Sequence, residues 1–229
     1  MIQLEVWGPY ALFTRPEFKV ERVSYDVPTP SAARGIVEAI YYHPGIKWHI
    51  RRIYVMRPIT HDKKPRSDNA EPITFTTIRR NEVKSKILGS TAMRIAQGKE
   101  DEPYLVTTKQ IVQRASMVLT NVHYVIEAEF EMLPEKAAPG DNPGKFQDIV
   151  TRRMRKGQCF STPYFGCREF PAHFKQWEGG PIPTIDETRD LGFMLYDFDY
   201  SDPQNITPLY FRAKMEHGVI QVAGCEVFR

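Results

Sequence analysis

Cysteine is scarce in this chain, and its spacing does not suit metal binding. The 229 residues include three cysteines, Cys159, Cys167 and Cys225, and none of them forms a CxxC pair. The six histidines also never fall at metal-ligand spacing with a second ligand. We therefore expect neither a metal site nor a disulfide framework, and a reducing compartment is the natural setting.

Long apolar runs and familiar catalytic motifs are missing as well. No stretch approaches the roughly 18 apolar residues of a membrane span, and the N-terminus lacks a basic segment followed by an apolar core. The chain contains no P-loop and no GxGxxG, HExxH or GxSxG motif, which argues against the nucleotide-binding, metalloprotease and hydrolase classes that these motifs mark. The sequence predicts a cytoplasmic protein that needs no cofactor and contacts no membrane.

A strong net charge of either sign is also absent. The 31 Lys and Arg residues and 28 Asp and Glu residues give a net charge of +3, which excludes a polycation and an acidic disordered tail. The small sum hides basic segments at 47–57, 79–86 and 152–156 and an acidic stretch at 186–202. Converging basic segments would form an RNA-binding face, with the opposing charge in the C-terminal part. The alternative is that each cluster is an ordinary solvated surface.

The hydrophobic pattern predicts an α+β fold. Strands are expected at 2–13, 46–59, 117–132 and 164–174, and helices are expected to begin near Pro30 and at Pro143. The order strand, helix, strand, strand, helix, strand is the ferredoxin-like arrangement, which RRM-type RNA-binding domains share. This unit would span residues 1–176, with an insertion at about 60–114 that holds a strand at 73–79 and a helix near 83–97.

A break at Gly179-Gly180-Pro181 separates this unit from the rest of the chain. Strands are predicted at 193–200, 208–215 and 219–222, and His217-Gly218 is the expected hairpin turn between the last two. The sequence therefore predicts a small antiparallel β-sheet domain over residues 177–229.

RNA cleavage by the RNA's own 2′-hydroxyl is one chemistry that needs no metal. The protein has to hold the backbone in line, accept one proton, donate another and neutralise charge. Tyr, His and Lys suit those roles, and Tyr41 is the first candidate because it lies at the edge of the apolar stripe of the first helix. The alternative is a tyrosine at the boundary of the core, and Tyr42 or His43 would be its substitutes.

His123 is the second candidate for proton transfer. Strand alternation puts it on the face of Asn121 and Val125, opposite Val122 and Tyr124. On an open RNA-binding face it would lie among basic groups, and the alternative is a hydrogen-bonded structural histidine. The segment 157–166 (GQCFSTPYFG) is a third feature, since small and hydroxyl residues let a backbone approach a phosphate. On its own, a plain loop is the simpler interpretation of that segment.

Several segments together resemble a known family. They are Val6-Trp7-Gly8-Pro9-Tyr10-Ala11-Leu12-Phe13, Ser24-Tyr25-Asp26-Val27-Pro28-Thr29-Pro30-Ser31-Ala32, Gly35-Ile36-Val37-Glu38-Ala39-Ile40-Tyr41, Arg80-Asn81-Glu82-Val83 and Tyr164-Phe165-Gly166-Cys167-Arg168-Glu169-Phe170. In this order they resemble the CRISPR-associated Cas family five, Dvulg subtype, of subtype I-C systems. The resemblance runs across almost the whole chain.

The resemblance implies a ferredoxin-like domain followed by a β-sheet domain. It implies metal-independent cleavage of precursor CRISPR RNA in the repeat, with the product held by its 5′ handle, and partners in the backbone and large subunits of an interference complex. It leaves open whether duplex DNA is bound. Two alternatives remain, which are a subunit that holds the 5′ handle without cutting it and a general nucleic-acid-binding module.

The resemblance also assigns residues. The family's catalytic tyrosine corresponds to Tyr41, after the Gly-x-x-Glu-x-Ile stretch. The family's adjacent Lys-His pair is missing near the third strand, so His123 is the nearest histidine, and Lys109 or Arg114 is the candidate cation. The predicted contacts with the RNA backbone come from the basic segments, from Arg114 and from the glycine after the last segment: Lys47, Arg51, Arg114, Arg152, Arg153, Arg155, Lys156 and Gly157.

Overall fold

The computed structural model describes residues 1–18, 22–59, 74–78, 97–98, 111–202 and 204–229. The described strands and helices follow in chain order: β1 Ile2–Ala11, β2 Arg22–Val23, α1 Pro30–Ile40, β3 Ile46–Val55, β4 Thr74–Ile78, β5 Ile111–Met117, β6 Leu119–Met132, a 3₁₀ turn Pro134–Lys136, α2 Pro143–Lys156, β7 His173–Gln176, β8 Arg189–Asp199, β9 Thr207–Glu216, β10 Val219–Gln221 and β11 Val227–Phe228.

One eight-stranded antiparallel sheet forms the centre of the molecule. Its order is β11–β9–β10–β3–β6–β1–β7, and β8 pairs with β9 off this path. A second sheet has the order β2–β5–β4, in which β2 runs parallel to β5. The α+β class predicted from the sequence is confirmed at this level, as a mostly antiparallel sheet with few helices.

The two faces of the large sheet differ because its strands alternate. On β1, Leu4 and Val6 are fully buried on the face that the helices cover, while Glu5 and Trp7 lie on the other face. The neighbouring β6 repeats the pattern, since Tyr124 lies on the helix-covered face. We call the opposite face, which carries Glu5 and Trp7, the open face because the described helices do not cover it, although Glu5 itself is buried.

The first helix begins and is buried as its sequence dictates. Thr29 accepts a hydrogen bond from the backbone N–H of Ala32 at 3.1 Å, and Pro30 occupies the first turn, where no amide partner is needed. Ile36 and Ile40 lie one turn apart and are both buried against the sheet. Burying each isoleucine contributes about 1.5–3 kcal/mol, so this stripe fixes which face of α1 meets the sheet.

The second helix follows the same rules. Asn142 accepts from the backbone N–H of Lys145 at 2.9 Å, and Gly157 ends the helix in the left-handed region at φ 64°. Its buried stripe is Phe146, Val150 and Met154, four residues apart. Its other side carries the basic residues that the sequence singled out.

The expected strand at 164–174 is shorter in the structure. An isolated bridge joins Tyr164 to Pro171, and the regular strand β7 begins only at His173. Between them, Gly166 has a φ of 78°, and a Cβ there would overlap the Leu12 carbonyl oxygen. A glycine-dependent turn therefore occupies most of the segment whose composition had suggested a strand.

The other predicted boundaries shift by smaller amounts. The strand predicted at 46–59 ends at Val55, and the one predicted at 117–132 begins at Leu119 as a strand separate from β5. The strand predicted at 73–79 is present as β4, and the helix predicted near 83–97 falls outside the described residues apart from a turn at 97–98.

The C-terminal strands join the same large sheet as the N-terminal ones. The hairpin at His217-Gly218 connects β9 to β10, and both residues have the positive φ that such a turn requires. Strand β10 then pairs with β3, with Ile220 opposite Ile53. The division into domains at residue 177 stays a prediction. Among the described helices, none is long and apolar enough to cross a membrane.

Candidate active site at the ends of the two helices

Tyr41 lies where α1 ends, and its environment is now defined. It is the C-terminal capping residue in extended conformation, and its N–H donates to the carbonyl of Val37. Its own carbonyl accepts from the indole nitrogen of Trp48 at 3.1 Å. The side chain is 5% exposed, so Tyr41 is held on the helix-covered side of the sheet rather than in open solvent.

Arg153 on α2 fastens this helix end. Its guanidinium donates to the carbonyl of Ile40 at 2.8 Å and lies 5.0 Å from the centroid of the Tyr41 ring. Phe146, one turn into α2, contacts the same ring with 6.1 Å between centroids. Arg153 thus satisfies a carbonyl left over at the helix terminus and stacks on an aromatic ring. Its place in a basic cluster of the sequence did not indicate these contacts within the protein.

The electrostatic environment keeps Tyr41 protonated. Burial raises the pKa of its phenol above the ordinary value. The charges of Arg153 and Lys145 lower that pKa and the charge of Asp141 raises it, but burial is the largest effect. A phenol with a raised pKa is neutral near pH 7, so it can donate a proton or a hydrogen bond but does not serve as a base.

An aspartate and a lysine lie close enough to Tyr41 for their charges to act on its phenol, and the aspartate also approaches a histidine. The Nδ1 atom of His43 accepts from the backbone N–H of Gly45 at 3.0 Å, so Nε2 carries the hydrogen, and Nε2 is 3.7 Å from a carboxylate oxygen of Asp141. The other Asp141 oxygen accepts from the Lys145 ammonium at 2.8 Å. We call Tyr41, His43, Asp141, Lys145 and Arg153 the helix-end cluster.

The lysine and the aspartate hold each other ionised. The hydrogen bond from Lys145 is the main reason that the pKa of Asp141 is lowered, and the same bond raises the pKa of Lys145. Lys145 therefore supplies a fixed positive charge beside the Tyr41 phenol. A tyrosine, an imidazole and an ammonium can supply the proton transfers and the charge stabilisation that phosphodiester cleavage without a metal requires.

The segment 157–166 is hydrogen-bonded to the end of α1. The backbone N–H groups of Phe160 and Ser161 both donate to the Ala39 carbonyl at 2.9 Å. This brings the exposed Phe160 ring next to the exposed Tyr42 ring, with 6.1 Å between centroids and 34° between planes. The loop therefore adds an exposed aromatic surface beside the helix-end cluster, of the kind on which bases stack.

The remaining basic residues of α2 point outward. Arg152 and Lys156 are exposed, and within the described part of the chain no carboxylate pairs with either. Arg155 pairs with Glu178 at 2.9 Å, in a contact between two largely exposed side chains. Gly157 is exposed at the end of the helix. Of the four basic residues predicted to contact RNA here, Arg152 and Lys156 are exposed, Arg155 is exposed but paired with Glu178, and Arg153 turns inward.

The basic residues of β3 are matched by acids that the sequence did not bring to attention. Arg51 pairs with Glu129 at 3.1 Å, and Lys47 lies opposite Glu131 in the register of β3 and β6. Arg114 lies on β5 with its backbone opposite Phe75, and nothing is described of its side chain. Within the expected basic strip along 47–57, Arg51 and Arg52 are therefore paired with acids of β6, because those acids alternate with the same period.

The acidic stretch is matched in a similar way. Asp190 pairs with Arg212 at 2.7 Å, and Asp197 pairs with Arg34 of α1 at 2.8 Å. The expected contrast between a basic face and an acidic C-terminal end is consequently weaker in space than in sequence, and it is concentrated in the outer surface of α2.

His123 does not join Tyr41. It lies on the open face, where its Nε2 is 2.8 Å from a Glu5 oxygen and its ring is next to Trp7, whereas Tyr41 packs on the helix-covered face. Strand alternation separates them, so the geometry does not support a shared catalytic role. Lys109 falls outside the described residues.

Sequence reasoning missed Lys145 and Asp141. The signal that could have found them is their spacing, since an aspartate four residues before a lysine at the start of a helix forms an ion pair on one side of it. Among the described residues, no group of three His, Cys, Asp or Glu side chains is arranged to hold a metal ion.

A known family matches nearly the whole chain. A family model described as Cas_Cas5d, CRISPR-associated protein (Cas_Cas5), matches residues 1–223. Two relatives carry the name CRISPR pre-crRNA endoribonuclease Cas5d. The one from Mannheimia succiniciproducens is 44% identical and the alignment covers 96% of this chain and 94% of the relative. The one from Thermus thermophilus is 36% identical, with 96% and 90% covered.

Solved structures with the same fold include two that align with all of this chain. One is described as a CRISPR-associated protein and has a TM-score of 0.66 at 22% identity, with 96% of its own chain covered. The other is SMU1763c from Streptococcus mutans, described as functionally uncharacterized, with a TM-score of 0.65 at 21% identity and 96% covered. At this identity the likeness supports the fold alone.

Proposed function

The chain belongs to the Cas5d family of CRISPR-associated proteins, and from this premise we propose that it is an endoribonuclease that cuts precursor CRISPR RNA within the repeat. We propose further that no metal takes part, that the product stays bound by its 5′ handle, and that the protein is a cytoplasmic subunit of an interference complex with backbone and large subunits. The single observation that carries the catalytic part is the helix-end cluster.

The fold proposed for the catalytic unit is the ferredoxin-like, RRM-like one. Its support is the strand order β3–β6–β1–β7, together with α1 following β1 and α2 following β6. In a strand-helix-strand-strand-helix-strand chain, this order puts the first and third strands in the centre and both helices on one face. That arrangement brings the end of α1 against α2, where the helix-end cluster lies.

The reaction is an attack of the RNA 2′-oxygen on the adjacent phosphorus. The bond between phosphorus and the 5′-oxygen breaks, which leaves a cyclic phosphate on one product and a 5′-hydroxyl on the other. Tyr41, which is protonated, donates its proton to the departing 5′-oxygen. The Lys145 ammonium stabilises the negative charge that builds up on the phosphate.

The 2′-hydroxyl proton goes to His43. Its Nδ1 is the nitrogen without hydrogen, and it accepts this proton once the bond from the Gly45 N–H is released. Asp141 orients the opposite side of the ring and stabilises the imidazolium that forms. Arg152, Arg155 and Lys156 bind the RNA backbone on the outer surface of α2, and Tyr42 with Phe160 offers an adjacent stacking surface.

A matched pair of tyrosine variants tests the catalytic role. Tyr41→Phe removes the donor and keeps the ring, and Tyr42→Phe makes the same change at the exposed neighbour. Cleavage of repeat RNA in EDTA should fall about a hundredfold or more in Tyr41→Phe, since general acid catalysis contributes about 10²–10⁴-fold, and should persist in Tyr42→Phe. Equal cleavage by the two variants would remove Tyr41 from the reaction.

A second candidate function is favoured by the burial of Tyr41. Because Tyr41 is only 5% exposed and its ring packs against Arg153 and Phe146, an RNA phosphate reaches the hydroxyl only if the surrounding groups move aside. A subunit that holds the 5′ handle without cutting it needs no such movement. Purified protein and labelled repeat RNA separate the two candidates, because the non-cutting subunit gives a shifted band in which the RNA stays intact.

A further inference from the structure

Three rings cross the open face of the sheet in one line. Trp7 on β1 is opposite His123 on β6 and opposite His173 on β7, so the three residues occupy the same level of three neighbouring strands. The ring centroids are 6.1 Å apart between Trp7 and His123 and 5.8 Å apart between Trp7 and His173. The row therefore runs across the strands, with its rings at nearly even spacing.

The row is held in place and reachable from solvent. His173 is exposed and its ring is inclined by 24° to that of Trp7, which is itself partly exposed. His123 is fixed by its 2.8 Å contact with Glu5, and 18% of its side chain is exposed. On β1, the buried side chains Leu4 and Val6 point to the other face. The rings are therefore not needed to fill the helix-covered core.

Charge around the row suits a polyanion. The Glu5 carboxylate is buried, with one oxygen 2.8 Å from His123 Nε2 and the other 3.2 Å from the Lys175 ammonium. The same ammonium lies 5.7 Å from the Trp7 ring centroid. At the other end of the row, the exposed Arg57 donates to Asn121, next to His123 on the open face. Arg57 thus supplies a positive charge at one end of the row, and Lys175 offsets the charge of the nearest carboxylate at the other.

We propose that Trp7, His123 and His173 form a stacking site for unpaired bases of single-stranded RNA on the open face. Successive bases stack on aromatic rings while neighbouring cations contact the phosphates, and this combination binds single strands with little sequence preference. Lys175 and Arg57 are the phosphate contacts. The proposal rests on the proposed function only in taking RNA as the ligand, because the row lies on the opposite face from the helix-end cluster.

Binding of an eight-nucleotide oligouridylate, which has no hairpin, tests this site. Fluorescence anisotropy with the full chain should give at least about fivefold weaker binding for Trp7→Leu, since base stacking on one ring is worth a factor of this size or more. His173→Ala, which changes an exposed side chain, should also weaken binding and decides the matter if Trp7→Leu does not fold. Tyr200→Leu is the control, because Tyr200 is 60% exposed immediately after β8.

The outcomes separate this proposal from the proposed function. Failure of the wild-type chain to bind the oligouridylate, unchanged affinity in both open-face variants, or an equal loss in the control would overturn the stacking site. Cleavage of repeat RNA is measured with the same wild-type preparation. Cleavage without an effect of the open-face variants refutes only the stacking site, and a selective loss of oligouridylate binding without any cleavage refutes only the endoribonuclease.

Discussion

Replacing Arg153 with alanine tests whether this residue stabilises the end of α1 or binds the RNA backbone. The change removes the hydrogen bond to the Ile40 carbonyl and the contact with the Tyr41 ring. A hydrogen bond from a charged group is worth about 1.5–3 kcal/mol and a partly exposed cation–π contact about 0.5–1 kcal/mol. Because Arg153 is partly exposed, we take the lower part of these ranges, a loss of about 2 kcal/mol.

The matched control is Arg152→Ala. It removes the same charge at the neighbouring position, where the arginine side chain is exposed. For a chain of this size, a loss of about 2 kcal/mol lowers Tm by about 4–8 °C, and Arg152→Ala should leave Tm nearly unchanged. In the RNA-binding assay, Arg152→Ala should have the larger effect on salt dependence. Arg152→Ala should reduce the salt dependence of RNA binding by about one phosphate contact, and Arg153→Ala should slow cleavage by loosening Tyr41 while that salt dependence stays the same.

Thermal unfolding and a salt titration of repeat-RNA binding check both halves. Equal Tm values for the two variants would refute the claim that Arg153 fastens α1. A drop in the salt slope for Arg153→Ala, with none for Arg152→Ala, would show that Arg153 contacts the phosphate backbone directly.

Three further predictions concern Gly166, Tyr41 and Phe160. Gly166→Ala should destabilise the chain by more than about 2 kcal/mol in denaturant unfolding, because a Cβ would overlap the Leu12 carbonyl oxygen, whereas Gly180→Ala, where a Cβ meets nothing, should have little effect. Because burial raises the pKa of Tyr41 above its ordinary value of about 10, its donor form persists up to that pH, and a pH–rate profile should have no alkaline limb from this residue below about pH 10. Phe160→Ala should weaken repeat-RNA affinity about fivefold or more through lost stacking while the melting temperature stays constant, and an unchanged affinity would exclude that ring from the RNA surface.

The elements that could be predicted from sequence are those with a local cause. Thr29 and Pro30 indicate the start of α1, and Gly157 indicates the end of α2, because helix capping depends only on neighbouring residues. The hairpin at His217-Gly218 is confirmed for the same reason. The turn around Gly166 was interpreted as strand because its glycine is required by a carbonyl more than 150 positions away in the chain, at Leu12.

The candidate site was predictable only in part. The position of Tyr41 at the edge of α1 follows from helical spacing, but its partners come from α2, more than 100 residues later, and no local pattern records that contact. His123 was singled out by strand alternation, which correctly separated it from Val122 and Tyr124 but could not say that Tyr41 lies on the other face of the sheet. Pairing of Arg51 with Glu129 was hidden for the same reason, since cross-strand register is a tertiary property.

The most direct test of the endoribonuclease account is a single 2′-deoxynucleotide in the repeat RNA, at the residue immediately 5′ of the cut, assayed in EDTA. Attack by the 2′-oxygen predicts that the unmodified RNA yields a cyclic phosphate and a 5′-hydroxyl, and that the modified RNA is bound but stays intact. Cleavage of the modified RNA at the same position, or a requirement for a divalent metal with the unmodified one, would contradict the account.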